Sequence, residues 1–103
     1  MSRQQILYDK ILANLTPHFL TVENESHMHS SDRGGESHFK VVVVSDKFDG
    51  VANVARHRMI YQLLTREIAE GIHALALHTY TLAEWQTRGR HVPQSTNCLG
   101  HGK

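Results

Sequence analysis

Four consecutive valines, Val41 to Val44, constrain the fold of this chain more than any other feature. Valine is stiff at its first side-chain torsion and favours strands over helices. Because successive side chains of a strand point to opposite faces, an unbroken apolar run needs apolar cover on both faces. The run therefore predicts a central strand, about Ser37 to Ser45, within a packed sheet.

Local signals divide the rest of the chain. Ser2-x-x-Gln5 and Thr81-x-x-Glu84 are capping boxes that start helices, and Pro17 disfavours helix at the residue before it. The predicted elements are a helix ending at Thr16, a strand about His18 to Glu23, the valine strand, a helix or helix pair about Ala52 to Ala69 with any break near its start, a strand about Ile72 to Tyr80, and a short helix carrying Trp85.

These elements predict an α+β fold with a small three-stranded mixed sheet and helices on one face, in the order α-β-β-α(α)-β-α. The second and third strands are joined through a helix and should be parallel, whereas the first and second can pair antiparallel through residues 24–36. Residues 1–86 form the predicted domain. Residues 87–103 have no apolar stripe and are predicted to be a flexible tail.

Composition narrows the function. The net charge is only +1 with histidine neutral, so any nucleic-acid contact must come from a local basic patch. The single cysteine, Cys98, cannot form an internal disulfide, and we expect a cytoplasmic protein. No apolar run approaches the ~18 residues of a membrane span. Neither a nucleophile with an adjacent base nor a complete zinc set is recognisable, so we do not expect an enzyme.

The block from Ser37 to Trp85 carries five motifs in a fixed order. They are Ser-His-Phe-Lys, Phe48-x-Gly50, Arg56-His57-Arg58 with Ile60-Tyr61, Ile72-His73-Ala74-Leu75, and a closing Thr-x-x-Glu-Trp. In this combination the chain resembles the BolA family over roughly Ser2 to Trp85. The resemblance implies a non-enzymatic regulator whose fold is similar to type II KH domains. Asn53 stands where the second glycine of a KH Gly-x-x-Gly loop would lie, so KH-type gripping of RNA is not expected.

The resemblance also implies a metal site. A family histidine at the position of His73 ligates a [2Fe-2S] cluster shared with a monothiol glutaredoxin and its glutathione. His29 aligns with the second ligand or its near neighbour, and His27 is a less favoured alternative. Neutral imidazole suits iron, but a cluster needs four ligands, so we expect none in the isolated, monomeric chain. Alternatively, His73 is a structural histidine donating to a backbone carbonyl.

Family members most like this chain are regarded as DNA-binding transcriptional regulators of the general stress response and cell morphology. The side chains that could contact phosphates of promoter DNA are cationic and lie on or beside the long helix: Lys47, Arg56, His57, Arg58 and Arg66. A solvated helix face would have the same composition. The alternative function is an iron-sulfur assembly or trafficking adaptor that does not bind DNA. If both functions hold, cluster occupancy is expected to bias DNA binding, because the two sites are predicted at neighbouring ends of the helix and third strand.

Overall fold

The computed structural model describes residues 2–25 and 38–89. Its elements follow the predicted order: α1 (Arg3–Leu15), β1 (Phe19–Asn24), β2 (His38–Val44), a short 3-10 turn (Asp46–Phe48), α2 (Asn53–Leu63), α3 (Thr65–Ala69), β3 (Ala74–Tyr80) and α4 (Leu82–Thr87). Within these ranges, no helix is both long enough and apolar enough to cross a membrane. The predicted tail lies almost wholly outside them, so the boundary at residue 86 stays a prediction.

The three strands form one mixed sheet in the order β1-β2-β3. β1 pairs antiparallel with β2, and β2 pairs parallel with β3. The valine strand lies at the centre, and all four valines are fully buried. Val41 and Val43 belong to the main core, whereas Val42 and Val44 belong to a smaller cluster on the opposite face. The α+β fold is thus confirmed, and its similarity to type II KH domains stays a prediction.

The main core lies between the sheet and the three helices α1, α2 and α3. Its fully buried side chains include Leu7 and Ile11 from α1 and Ile60 from α2, while Ile68 of α3 packs at its margin. The prediction that helices cover one face therefore holds for α1 to α3.

The short helix α4 departs from that prediction, because its Trp85 packs on the other face. Trp85 is 4% exposed and stacks on the ring of Phe19 with centroids 4.9 Å apart. Strand register explains this placement: Phe19, Val44 and Tyr80 lie side by side across the sheet and form an apolar row that requires cover. Burying that row stabilises the fold through the hydrophobic effect.

The long helix breaks near its end rather than near its start. Leu64 has φ −108° and ψ 18°, which separates α2 from α3. The hydroxyl of Thr65 donates to the carbonyl oxygens of Tyr61 and Gln62, both at 3.1 Å. A threonine that bonds back to the preceding turn competes with the backbone ladder and bends helices. The predicted position of the break was therefore wrong, because the break depends on this side-chain bond.

Both predicted helix starts are confirmed, although only the second is a reciprocal capping box. The hydroxyl of Ser2 accepts a hydrogen bond from the Gln5 N–H at 3.1 Å. Thr81 and Glu84 form the complete reciprocal box at the start of α4. Each cap satisfies backbone donors that an uncapped first turn would leave without partners.

Candidate functional site

Two histidines meet at one end of the sheet. His38 begins β2 and is aligned in register with Ala74, the first residue of β3, so His73 lies directly beside it. The rings of His38 and His73 are stacked, with centroids 6.3 Å apart and planes inclined by 29°. His73 is exposed and His38 is half-buried. The parallel register thus presents two imidazoles on the surface at this end.

No partner for the alternative, structural role of His73 is present in the described part of the chain. None of the described residues accepts a hydrogen bond from its ring, and the ring contacts the imidazole of His38. An exposed imidazole beside a second one is chemically suited to ligate borderline iron. Among residues 2–25 and 38–89, no three histidine, cysteine or carboxylate side chains are grouped closely enough to hold a metal ion together. Within the described residues, His38 and His73 could therefore supply only some of the ligands that a metal centre needs.

The other predicted ligands, His29 and His27, lie outside the described residues, as does Cys98. The segment that carries both histidines leaves β1 at Glu25 and enters β2 at His38. The Glu25 N–H donates to the carbonyl of His38 at 2.8 Å, so the segment begins and ends at His38, the neighbour of His73. His38 was missed as a neighbour of His73, although the Ser-His-Phe-Lys motif placed it at the entry of a strand expected to pair with β3.

Arg56 is not on the surface, which contradicts its assignment to the DNA-binding patch. It is only 6% exposed. Its guanidinium donates to the carbonyl oxygens of Val51 at 2.6 Å and Thr79 at 3.2 Å, and it pairs with both carboxylate oxygens of Glu84 at 2.8 and 3.1 Å. A bidentate pair of this kind is strong and fixes geometry. Arg56 therefore joins the loop before α2, the end of β3 and the start of α4.

Ionisation of Glu84 should make the free energy of unfolding depend on pH in the acidic range. The hydrogen bond from Arg56 is the main reason that the pKa of the Glu84 carboxyl falls from 4.5 to about 2. Because the folded pKa is the lower one, the ionised carboxylate stabilises the fold above pH 4.5, and this stabilisation is lost as the pH falls through about 2. We expect Glu84→Gln to flatten the fall in unfolding free energy over this range, measured by urea titration at successive pH values.

Glu70→Gln is the matched control for that measurement, because Glu70, which caps the end of α3, forms an exposed pair with Arg66 at 3.2 Å. Exposed pairs of this type contribute little. The control should keep the acid slope of the unchanged protein. An equally flattened slope in both variants would contradict the role assigned to Glu84.

The other residues predicted to contact DNA phosphates differ in how accessible they are to solvent. Lys47, Arg58 and Arg66 are exposed, although Arg66 pairs with Glu70. Burial lowers the pKa of the His57 imidazole, and the adjacent Arg56 guanidinium lowers it further. Both effects favour the neutral form of His57, which makes it a weaker candidate for phosphate contacts than the exposed arginines and lysine. Of the five residues predicted to contact phosphates, Lys47 and Arg58 therefore remain the main candidates, and Arg66 is exposed but paired with Glu70.

The two candidate sites lie at opposite ends of the sheet. Lys47 follows the carboxyl end of β2, which is aligned with the carboxyl end of β3, whereas His73 precedes the amino end of β3. Seven residues of extended strand separate the ends by about 20 Å. The prediction that the two sites are neighbours was wrong. Their separation removes the geometric basis for coupling cluster occupancy to DNA binding.

Comparison with known proteins agrees with these observations. The sequence matches the family model described as BolA-like protein over residues 11–84. A Haemophilus influenzae protein named DNA-binding transcriptional regulator BolA is 53% identical over 100% of both chains. A Vibrio cholerae protein of the same name is 52% identical over 94% of this chain and 92% of its own. The solution structure of BolA1 from Mus musculus has a TM-score of 0.80 at 36% identity, covering 94% of this chain and 78% of that chain. This chain therefore belongs to the BolA-like protein family.

Proposed function

We propose that this protein is a BolA-type, non-enzymatic transcriptional regulator that binds DNA. The observation that carries the proposal is the 53% identity, over the whole of both chains, to a relative named as a DNA-binding transcriptional regulator. Exposed Lys47 and Arg58 supply the charge for contacts with backbone phosphates. Such contacts position a protein on a duplex without reading its bases.

DNA binding should depend on salt and on the exposed cations rather than on Arg56. Each phosphate neutralised adds about 0.9 to the slope of log affinity against log salt concentration. We expect Lys47→Gln and Arg58→Gln each to weaken binding and to reduce that slope by about one. Fluorescence anisotropy with a labelled promoter duplex at several salt concentrations measures both effects.

Asp9→Asn provides the control for this experiment, because Asp9 lies exposed on α1 and is hydrogen bonded to Gln5. Asp9→Asn changes the net charge by one unit, as each cation variant does, but in the opposite direction. It should leave the salt slope unchanged. If the unchanged protein is not retained by duplex DNA at low salt, direct DNA binding is refuted and the adaptor alternative is favoured.

We further propose that the protein pairs with a monothiol glutaredoxin through a shared [2Fe-2S] cluster. The support is the pair of imidazoles at one end of the sheet, with His73 exposed and His38 beside it. His73 would be a ligand, and His29 or His27 stays the predicted second one, with His38 as a further candidate. When bound, the cluster supplies one-electron redox chemistry, and histidine in place of cysteine raises its potential.

Anaerobic reconstitution of an equimolar mixture with a monothiol glutaredoxin and glutathione tests this second proposal. A heterodimer that contains iron and sulfide, with a visible spectrum different from that of glutaredoxin alone, is the expected product. A mixture whose spectrum equals the sum of its separately reconstituted components would refute the partnership without affecting the DNA-binding proposal.

A further inference from the structure

Helix α2 carries apolar side chains on two sides. Its inner side packs into the core through Ile60, with Met59 and Leu63 at the core margin. Its outer side holds two of the three large apolar residues that are exposed in the described ranges, Val54 at 70% and Tyr61 at 43%. A helix that is apolar on both sides is normally covered on both. In the described chain, nothing plays that part on the outer side.

The outer side of α2 presents a continuous strip of side chains, which we call the α2 stripe. A shallow, open depression of about 410 Å³ lies over it. The residues that line the stripe are Val54, His57, Arg58, Tyr61, Gln62 and Thr65. Their spacings of three and four place them on one side of a helix. From Val54 to Gln62 the stripe rises about 12 Å along the helix axis, which matches two turns of a helix packed alongside.

The charge of the α2 stripe indicates which kind of partner could bind there. Arg58 lies between the two apolar residues, and no carboxylate of the described residues forms an ion pair with it. None of the six lining side chains is acidic. A second copy of the chain, packed through the same stripe, would bring two Arg58 side chains together, and like charges at an interface oppose association. A partner with carboxylates opposite Arg58 would be attracted instead.

We propose that the α2 stripe is a docking surface for an acidic amphipathic helix of another protein. Leucine-like side chains of that helix would pack on Val54 and Tyr61, and a flanking carboxylate would pair with Arg58. An amphipathic helix binds an apolar surface through anchor side chains that are spaced by three, four and seven residues along that helix. His73 is not among the residues that line this surface, and the apolar anchors are not needed for contacts with phosphates.

A synthetic peptide tests the proposal directly. The probe is an 18-residue helix with leucines spaced by three and four and glutamates on both flanks, carrying a fluorescent label for anisotropy. Its control peptide has lysine in place of every glutamate. We expect the acidic peptide to bind with a Kd below about 1 mM and to shift the amide resonances of Val54, Arg58 and Tyr61. The lysine peptide should bind at least about tenfold more weakly.

Protein variants locate the contact. Val54→Ala combined with Tyr61→Ala should weaken binding of the acidic peptide by at least about tenfold, because aromatic anchors dominate such interfaces. The matched control is Leu12→Ala, which removes the third exposed large apolar residue, 44% exposed on α1, and should leave binding unchanged. All three side chains are exposed, so thermal unfolding by circular dichroism should show the same midpoint for every variant.

Four outcomes would overturn the proposal: equal binding of both peptides, equal effects of the stripe and Leu12 variants, no binding at 1 mM peptide, or amide shifts away from α2. Two further measurements distinguish other occupants of the stripe.

Sedimentation equilibrium tests self-association. A dimer that is lost in the Val54 and Tyr61 double variant would assign the stripe to a second copy of the chain and overturn the proposal. Loss of DNA binding in that variant, to the same degree as peptide binding, would assign it to nucleic acid. Failure of DNA binding in the unchanged protein bears only on the proposed regulatory function.

Discussion

Replacing Arg56 by methionine is expected to lower the free energy of unfolding by about 3 kcal/mol. The substitution keeps most of the buried aliphatic volume but removes the donors to the carbonyl oxygens of Val51 and Thr79. It also removes the guanidinium partner of the Glu84 carboxylate, which within the described residues keeps only the hydrogen bond from the Thr81 N–H at 2.9 Å. Glu84 is 48% exposed and can regain water, so the loss should lie at the lower end of the range for breaking a buried pair.

Arg58→Met provides a matched comparison, because Arg58 is an exposed cation two residues further along the same helix. Surface substitutions of this kind usually change stability by no more than about 0.5 kcal/mol. Urea unfolding followed by far-ultraviolet circular dichroism gives both free energies. If the two variants have the same midpoint, Arg56 does not hold the loop, β3 and α4 together. Weaker DNA binding by an Arg56 variant should be attributed to partial unfolding unless stability is measured alongside.

Replacing His73 by alanine is expected to remove the shared cluster from the reconstituted heterodimer. His73 is exposed and forms no hydrogen bond with the described residues, so the apoprotein should keep its unfolding midpoint. Even changes to groups that only orient a ligand lower metal affinity by about 10- to 100-fold, and loss of a ligand should cost at least as much. Iron and sulfide content and the visible spectrum, each compared with glutaredoxin alone, measure the loss.

His18→Ala is the control for the cluster experiment, because His18 precedes β1 at the opposite end of the sheet and its ring contacts Asp46 at 3.0 Å. Its heterodimer should reconstitute like the unchanged one. His38→Ala should have a smaller effect than His73→Ala if His38 only supports its neighbour, and an equal effect if it is itself a ligand. An unaltered spectrum in the His73 variant would remove the ligand assignment.

Much of the fold follows from local patterns in the sequence. The valine run predicted the central strand, and the capping boxes at Ser2 and Thr81 predicted two helix starts, because each of these signals acts within a few residues. The parallel pairing of β2 with β3 followed from the helix between them. Placing Trp85 on the second face required the lateral register of Phe19, Val44 and Tyr80, which joins residues far apart in the chain.

The candidate site was less predictable for the same reason. Arg56 occurs beside His57 and Arg58, and composition alone made all three a surface patch. Its burial depends on Glu84, 28 residues away, and no spacing rule links these positions. The contact between His38 and His73 likewise depends on tertiary register. The sequence did not predict that Val54 and Tyr61 share an exposed surface, because a single apolar residue on the polar side of a helix is common.

The position of Trp85 has an optical consequence. It is the only tryptophan in the chain, and it is held between Phe19 and Tyr80 on the face away from α2. Its fluorescence should therefore report detachment of α4 in particular. Neither a peptide on the outer side of α2 nor iron near His73 should alter the emission wavelength, whereas release of α4 should shift it to the red while the rest of the sheet stays folded.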